Sequence, residues 1–205
     1  MKKSIILFLL TINILPVTGQ NNIGVSFSQT YSTFRFKDSD GEKEDLKYTI
    51  KYGYGLTWQQ EIMENLFAEG SLTYNCKGAT STLGVQKLDW SLHYVNVSAN
   101  IGYKMILGRL TPHGGAGLYY GRLLKAEQFI GSDYFDLIET DYIRKSDFGA
   151  NIFAGIGYDY SDNGSVFVRL NETIGLLQLE KDEQSTQRMF NRTFSIQVGL
   201  YFSIQ

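Results

Sequence analysis

The chain has 205 residues, a formal net charge of −2, 14% aromatic residues, 21 glycines and two prolines. The slight negative charge argues against nucleic-acid binding, which calls for a basic surface, and the single cysteine, Cys76, excludes an internal disulfide. Scarce proline with abundant aromatic residues favours β-strands throughout.

The N-terminus has the pattern of a secretory signal peptide. Two lysines follow Met1, Ile5–Leu15 forms an apolar core, and Val17–Gly19 supplies a small-residue cleavage site. The apolar run is too short to span a bilayer as a helix. We therefore expect residues 1–19 to be cleaved and residues 20–205 to form one domain.

Eight later segments alternate apolar and polar residues, which predicts strands with one apolar face. They cover approximately residues 23–36, 46–59, 66–76, 88–104, 110–122, 147–160, 165–177 and 192–204. Their connections alternate between long and short, as in outer-membrane barrels with long extracellular loops and short periplasmic turns. The prediction is an all-β fold, an eight-stranded antiparallel up-and-down transmembrane β-barrel.

Aromatic residues on the apolar faces predict two rims at membrane height. Tyr48 and Trp58 lie about 33 Å apart along one strand, and a tilt of about 40° reduces this to about 25 Å, the height of the apolar band. The outer rim would contain Tyr48, Tyr74, Tyr120, Phe148 and Phe194, and the inner rim Trp58, Tyr103, Tyr158, Tyr160 and Phe202. The alternative is that aromatic residues simply favour strands.

The polar faces would point into a lumen that side chains can fill, so an open pore is not expected. Four charged residues would lie inside and need partners: Lys51, Glu69, Asp159 and Arg169. A structural ion-pair network and an ion path are the two interpretations of this interior.

The closing strand alternates from Phe194 to Ile204 and resembles the C-terminal assembly signal of outer-membrane barrels. The matching residues are Gln197, Gly199, Phe202 and Ile204, with Ile204 in place of the usual final aromatic residue. We expect this strand to pair with the first strand and to be recognised by the barrel assembly machinery. Taken alone, the pattern also fits the last strand of a soluble barrel.

Three segments resemble the PorT-type outer-membrane β-barrel domain of Gram-negative Bacteroidetes: DFGANIFAGIGYDY (147–160), RLNETIGLL (169–177) and NRTFSIQVGLYF (191–202). Residues 92–105 fit the corresponding region, with Ser98 in place of a frequent proline. The resemblance implies an eight-stranded barrel in the outer membrane. Some relatives take part in type IX secretion, and most have no assigned activity.

His93 and His113 are the only histidines. Some outer-membrane lipid A deacylases use serine, histidine and an acid on the outer barrel surface, and His93 lies between Ser91 and Ser98. The sequence places no acid beside it, so we interpret His93 as a rim histidine without a catalytic task. Metal-ligand spacing and cofactor motifs are lacking, and the acidic loop at residues 38–45 does not have EF-hand spacing, so we expect no metal and no cofactor.

The long connection at residues 123–145 mixes acidic and aromatic residues. Its aromatic members are candidate contacts for a protein partner: Phe129, Tyr134, Phe135 and Tyr142. The same connection would equally suit a lid over the barrel mouth.

The function expected from these observations is that of a non-enzymatic, monomeric barrel in the outer-membrane bilayer. Its role would be structural, adhesive or accessory to secretion, with partner contact through the extracellular loops. Two alternatives remain, an outer-membrane lipid-modifying hydrolase of the lipid A deacylase kind and a secreted soluble ligand-binding barrel.

Overall fold

The computed structural model describes residues 21–37, 43–83, 86–139, 143–181 and 188–204. The expected signal peptide and Tyr142 lie outside these residues, as do the middle of the first loop and most of the last one. Across the described ranges, no helix is long and apolar enough to cross a membrane. The strands are β1 (Asn21–Lys37), β2 (Lys43–Asp45), β3 (Thr49–Met63), β4 (Leu66–Lys77), β5 (Thr80–Leu83), β6 (Gln86–Lys104), β7 (Leu110–Ile130), β8 (Asp133–Asp136), β9 (Ser146–Ser161), β10 (Gly164–Gly175) and β11 (Arg188–Ile204).

Eight of these strands form a closed antiparallel ring in the order β1, β3, β4, β6, β7, β9, β10 and β11, and β11 pairs with β1 to close it. Ile23 faces Phe202 and Phe27 faces Val198 across this seam, so the predicted partner of the closing strand is confirmed. The short strands β2, β5 and β8 pair with β1, β6 and β7. The predicted eight-stranded barrel is confirmed.

The strand register determines the tilt of the barrel. Register pairs followed once around the ring lead from Ile50 to Gln60, ten residues further along β3. Ten residues correspond to a slip of about 33 Å around a circumference of about 38 Å, which gives a tilt of about 40°. The same tilt of about 40° makes the distance between the two predicted aromatic rims equal to the height of the apolar band of the membrane.

The barrel is apolar outside and polar inside. Along β11, Phe194, Ile196, Val198, Leu200, Phe202 and Ile204 are 37–46% exposed. Ser195 and Tyr201, which alternate with them, are 8% and 7% exposed. Such an inverted pattern is stable when the outward face contacts lipid, and the predicted rim residues lie on this outward face.

The extracellular ends are more regular than predicted. The expected loop at residues 77–87 contains β5 and the start of β6, and the first part of the expected loop at residues 123–145 belongs to β7 and β8. A bulge explains why β7 continues beyond its predicted end, because His93 pairs with Lys125 while Tyr94 pairs with Leu123. The extra residue, Leu124 of β7, has no partner on β6. It interrupts the alternation of apolar and polar residues that marks a strand in the sequence.

Apolar side chains fill the extracellular mouth. The buried cluster consists of Phe34, Ala79, Leu92, Tyr94, Leu123, Ala126, Leu137, Ile143, Leu179 and Met189. Leu137 and Ile143 come from the long connection after β7, so these two residues of the connection pack into the barrel mouth.

Candidate functional site

One layer of the lumen is built around a buried ion pair. Arg169 of β10 donates from Nη1 and Nη2 to the two carboxylate oxygens of Glu69 on β4, each at 2.9 Å. Asn100 and Tyr201 also donate to this carboxylate, at 3.0 and 3.1 Å. The guanidinium lies 4.2 Å from the ring centre of Phe153. Every charge has partners, as burial requires, so the predicted structural network is confirmed for Glu69 and Arg169.

A second layer lies closer to the extracellular mouth. Lys77 of β4 contacts Oδ2 of Asp147 on β9 at 2.9 Å, and Tyr119 and Asn191 donate to the same oxygen at 3.0 and 2.7 Å. The ammonium group also lies 4.5 and 5.1 Å from the ring centres of Tyr119 and Tyr94. Sequence reasoning missed this pair because both residues lie at strand ends next to predicted loops.

The two layers and the apolar mouth lie in series along the barrel. Between the layers is a small cavity of about 80 Å³, bordered by Glu69 and Lys77. Beyond the Arg169 layer, a larger cavity of about 390 Å³ lies among the short turns and is bordered by His113 and Asp159. Asp159, which was predicted to lie inside the barrel, therefore lines the periplasmic end of the lumen.

His113 belongs to the lumen. Its Nδ1 donates to the carbonyl oxygen of Thr111 at 3.1 Å, and its Nε2 accepts from Nε of Arg169 at 3.4 Å. The rings of Phe153 and Phe167 flank it, with centre distances of 6.4 and 6.5 Å. Both ring nitrogens therefore serve the structural network.

His93 lies on the outside of the barrel among groups of a different kind. Its Nε2 is 3.4 Å from Oγ of Ser91, 3.8 Å from Sγ of Cys76 and 3.6 Å from Oε2 of Glu127. Its Nδ1 is 2.7 Å from the hydroxyl of Tyr74. The acid that the sequence could not place comes from β7, because Ser91 and Glu127 are directly opposite in the β6–β7 pairing.

Two lysines complete this outer cluster. Lys51 donates to Oγ of Ser91 at 3.3 Å, and Lys125 contacts Oε1 of Glu127 at 2.8 Å. The hydrogen bond that Lys125 donates to Glu127 raises the pKa of Lys125. The prediction that the charge of Lys51 lies inside the barrel is wrong, because its ammonium group donates to Ser91 in the outer cluster. The pairing of β3 with β4 ends at Gly53, so no β4 residue lies opposite Lys51.

Among the described residues, no group of three or more histidine, cysteine, aspartate and glutamate side chains could hold a metal ion. The outer cluster therefore offers a hydroxyl, a thiol, an imidazole and a carboxylate without metal-ligand geometry. A hydroxyl beside an imidazole is one arrangement that activates a nucleophile.

The predicted assembly residues divide between the two faces of β11. Gln197 donates to Oγ of Ser26 at 2.8 Å inside the lumen. A side chain at Gly199 would place Cβ within 2.6 Å of the ring of Phe167, so only glycine fits there. Phe202 and Ile204 point outward and are each 46% exposed. Their role in assembly remains a prediction.

The candidate contact residues cluster at the tip of the β7–β8 hairpin. Phe129, Tyr134 and Phe135 are 39%, 50% and 43% exposed, and the rings of Phe129 and Tyr134 lie 5.5 Å apart. Tyr142, the fourth candidate, lies outside the described residues. Phe129 and Tyr134 thus form one exposed aromatic surface, and Phe135 is exposed on the opposite face of the hairpin. The binding role of these residues remains a prediction.

Comparison with known proteins identifies the architecture. A family model for the outer membrane protein beta-barrel domain matches residues 5–202. No curated protein matches the chain.

Similar solved structures include Neisserial surface protein A (12% identity, TM-score 0.56, covering 89% of this chain and 96% of that one) and OprG from Pseudomonas aeruginosa (13%, 0.56, 91% and 96%). Ail from Yersinia pestis is also similar (15%, 0.51, 91% and 99%). At such identities these likenesses show the fold alone.

Proposed function

We propose that this chain, which belongs to the outer membrane protein beta-barrel domain family and lies in the cell outer membrane, acts by binding a protein partner at its extracellular end. The observation that carries this proposal is the exposed aromatic surface formed by Phe129 and Tyr134, with Phe135 exposed on the opposite face of the same hairpin tip. Exposed aromatic side chains that project above a rigid scaffold are typical of binding surfaces. The role would be adhesion or assistance to secretion.

The filled lumen supports binding over solute transport. The Glu69–Arg169 and Lys77–Asp147 pairs occupy successive layers, with bond lengths of 2.9 Å, below the apolar mouth. An eight-stranded barrel leaves little space beyond such side chains. We therefore expect reconstituted protein to leave vesicles impermeable to sugars. Swelling of proteoliposomes in isotonic sucrose would contradict a closed lumen.

The charge around the aromatic surface indicates the chemistry of the partner. Residues 128–139 contain three acidic residues and no lysine or arginine: Asp133, Asp136 and Glu139. Ail was crystallised with the heparin analogue sucrose octasulfate, a polyanion. We do not transfer that ligand class to this chain, because its acidic tip favours a basic protein surface.

Segments in β9, β10 and β11 resemble PorT-type barrels. This resemblance supports a secretion-accessory role for the binding. The proposal includes export with removal of residues 1–19 and insertion of a monomer by the barrel assembly machinery. Gln197, Gly199, Phe202 and Ile204 would be the residues that the machinery recognises. Replacing Phe202 with serine should lower the amount of heat-modifiable protein in outer-membrane fractions, whereas Tyr160→Ser should not.

Binding can be measured with proteoliposomes and a lysine-rich peptide, with a glutamate-rich peptide of equal length as the control ligand. The triple variant Phe129→Ser, Tyr134→Ser, Phe135→Ser should weaken binding of the basic peptide by at least about tenfold, since aromatic residues contribute most binding energy. Leu176→Ser is the matched control, because Leu176 is 56% exposed near another extracellular connection. Equal binding of both peptides, or an unchanged affinity of the triple variant, would refute the proposal.

A further inference from the structure

We propose that the outward face of β6 is a hydrolytic site for acyl esters of outer-leaflet lipids, with Ser91 as the nucleophile and His93 as the general base. Glu127 and Tyr74 would act through His93. This activity is separate from the proposed binding at the hairpin tip, and it revises the expectation that the chain has no enzymatic role. It rests on the outer cluster of side chains and on its height in the membrane.

The height follows from the outward residues of β6. Ile101 and Val97 are 62% and 56% exposed and belong to the apolar band. From His93 upward the same face becomes polar, with Ser91 and Asp89 next along the strand. This change marks the border between the hydrocarbon core and the headgroups. The ester groups of lipids lie at that border, so an ester is the bond that Ser91 would meet.

The hydrogen bond at Nδ1 orients the base. Tyr74 lies in the outer aromatic rim, and its hydroxyl is 2.7 Å from Nδ1 of His93. When Nδ1–H donates to this hydroxyl, the lone pair of Nε2 is directed to the side where Ser91 lies at 3.4 Å. Separations slightly above hydrogen-bond range are usual for a nucleophile and base without substrate.

Two charged side chains near Ser91 and His93 would stabilise the charges that develop during the reaction. Oε2 of Glu127 is 3.6 Å from Nε2 and would stabilise the imidazolium that forms when His93 accepts a proton. Nζ of Lys51 is 3.3 Å from Oγ of Ser91, where it would stabilise negative charge developing on the substrate oxygen. Lys125 holds Glu127 in place through a contact of 2.8 Å.

Ser91 is a better nucleophile candidate than Cys76. Cys76 is only 7% exposed, and its sulfur lies 3.8 Å from Nε2. Ser91 is partly exposed and closer to the base, and it also receives the hydrogen bond from Lys51. Cys76 lies 3.3 Å from Ser91, which makes it a control for indirect effects on the cluster.

The reaction uses water and no other co-reactant. Oγ of Ser91 forms a bond to the ester carbonyl carbon while its proton moves to Nε2 of His93. The carbon–oxygen bond to the lipid alcohol then breaks, and the alcohol leaves with that proton. Water next gives a proton to Nε2 and attacks the acyl-serine. The fatty acid is released, and the proton returns to Ser91.

A fluorophosphonate probe tests the nucleophile in the purified full chain, with the heat-dependent gel shift confirming that each variant is folded. We expect labelling of the unmodified protein and a loss of at least about 100-fold in Ser91→Ala and His93→Gln. Cys76→Ser and Ser98→Ala should label normally, because Ser98 faces the lumen and contacts Ser71 at 2.7 Å. An unlabelled wild-type protein, or undiminished labelling of Ser91→Ala, overturns the proposal.

Two lipid substrates identify the source of the ester. The protein is incubated with purified lipopolysaccharide or with phosphatidylethanolamine vesicles, and free fatty acid is measured by mass spectrometry. Release from either lipid that disappears in Ser91→Ala supports the proposal and identifies the substrate. Release from neither lipid overturns it, as does equal release by Ser91→Ala.

Glu127 and Tyr74 are positioning residues, and their variants need a readout beyond activity. Glu127→Gln should shift the acid limb of the pH–rate profile to lower pH, because the carboxylate favours the protonated form of His93. Tyr74→Phe should lower kcat with little change in KM. An unchanged profile for Glu127→Gln, or a change confined to KM for Tyr74→Phe, contradicts these roles.

Discussion

The two histidines of this barrel have opposite surroundings. In the lumen, His113 contacts a backbone carbonyl and the guanidinium of Arg169, at 3.1 and 3.4 Å. On the outer face, His93 lies beside Ser91 and Glu127, at 3.4 and 3.6 Å. The inner histidine is part of a network that offsets buried charge. The outer one has a hydroxyl and a carboxylate near the same nitrogen, at the lipid interface.

The comparison teaches that polar clusters in a membrane barrel differ in purpose according to the face they occupy. Inside, a charge without a partner is costly, so complete pairing is required for stability. Outside and above the apolar band, water and headgroups can solvate charge, and a cluster there is not needed for folding. Variants of the lumen should therefore affect stability, and variants of the outer cluster should affect chemistry.

The largest effect on stability is expected from Arg169→Met. The substitution leaves Glu69 buried at 3% exposure without its charge partner, which should lower the free energy of unfolding by about 3–5 kcal/mol. Urea titration of the protein in lipid vesicles measures this change. The double variant Glu69→Leu, Arg169→Met should recover most of the loss, because it removes both charges. A single-variant loss below about 1 kcal/mol would contradict the importance of the pair.

A smaller loss is expected from Asp147→Asn in the second layer. Lys77 would keep its contacts with two aromatic rings, at 4.5 and 5.1 Å, but lose its counter-charge. We expect a decrease of about 2 kcal/mol in the free energy of unfolding, the range for hydrogen bonds to charged groups. Asp162→Asn in the short β9–β10 turn is the control and should stay within about 0.5 kcal/mol.

Tyr201→Phe should have a smaller effect still. The change removes a hydroxyl that donates to Glu69 and accepts from Arg169, both at 3.1 Å, but leaves the ion pair intact. We expect a loss of about 1 kcal/mol, measured in the same titration. The outward-facing Tyr158→Phe should be neutral. Equal losses for the two tyrosines would remove the distinction between inside and outside.

The smallest change in the free energy of unfolding is expected for a variant that should lose its reactivity, His93→Gln. His93→Gln should alter the free energy of unfolding by no more than about 0.5 kcal/mol while abolishing fluorophosphonate labelling. His113→Gln should do the reverse, with a loss of about 1 kcal/mol and normal labelling. Unfolding and labelling of the two variants side by side test the comparison directly. If the two variants behave alike, the two histidines have the same role.

Much of the fold could be predicted because alternation is a local property of each strand. Phe194 to Ile204 showed which face contacts lipid, and the same pattern placed Glu69 and Arg169 inside. At the bulge beside Tyr94 and Leu123, an extra residue breaks the two-residue period of apolar and polar side chains. The sequence therefore predicted a loop where β7 continues as a strand. The extracellular extensions β5 and β8 were missed for a related reason, since above the membrane no lipid imposes an alternating face.

The sequence by itself determined the strands, the lipid-facing surface, the closure of β11 against β1 and the location in the outer membrane. Only the tertiary structure decided which charges pair across the lumen and that Glu127 lies beside Ser91 and His93. The reason is that a strand's faces follow from its own residues. A contact across strands depends on the register between them, and that register is set by the whole ring.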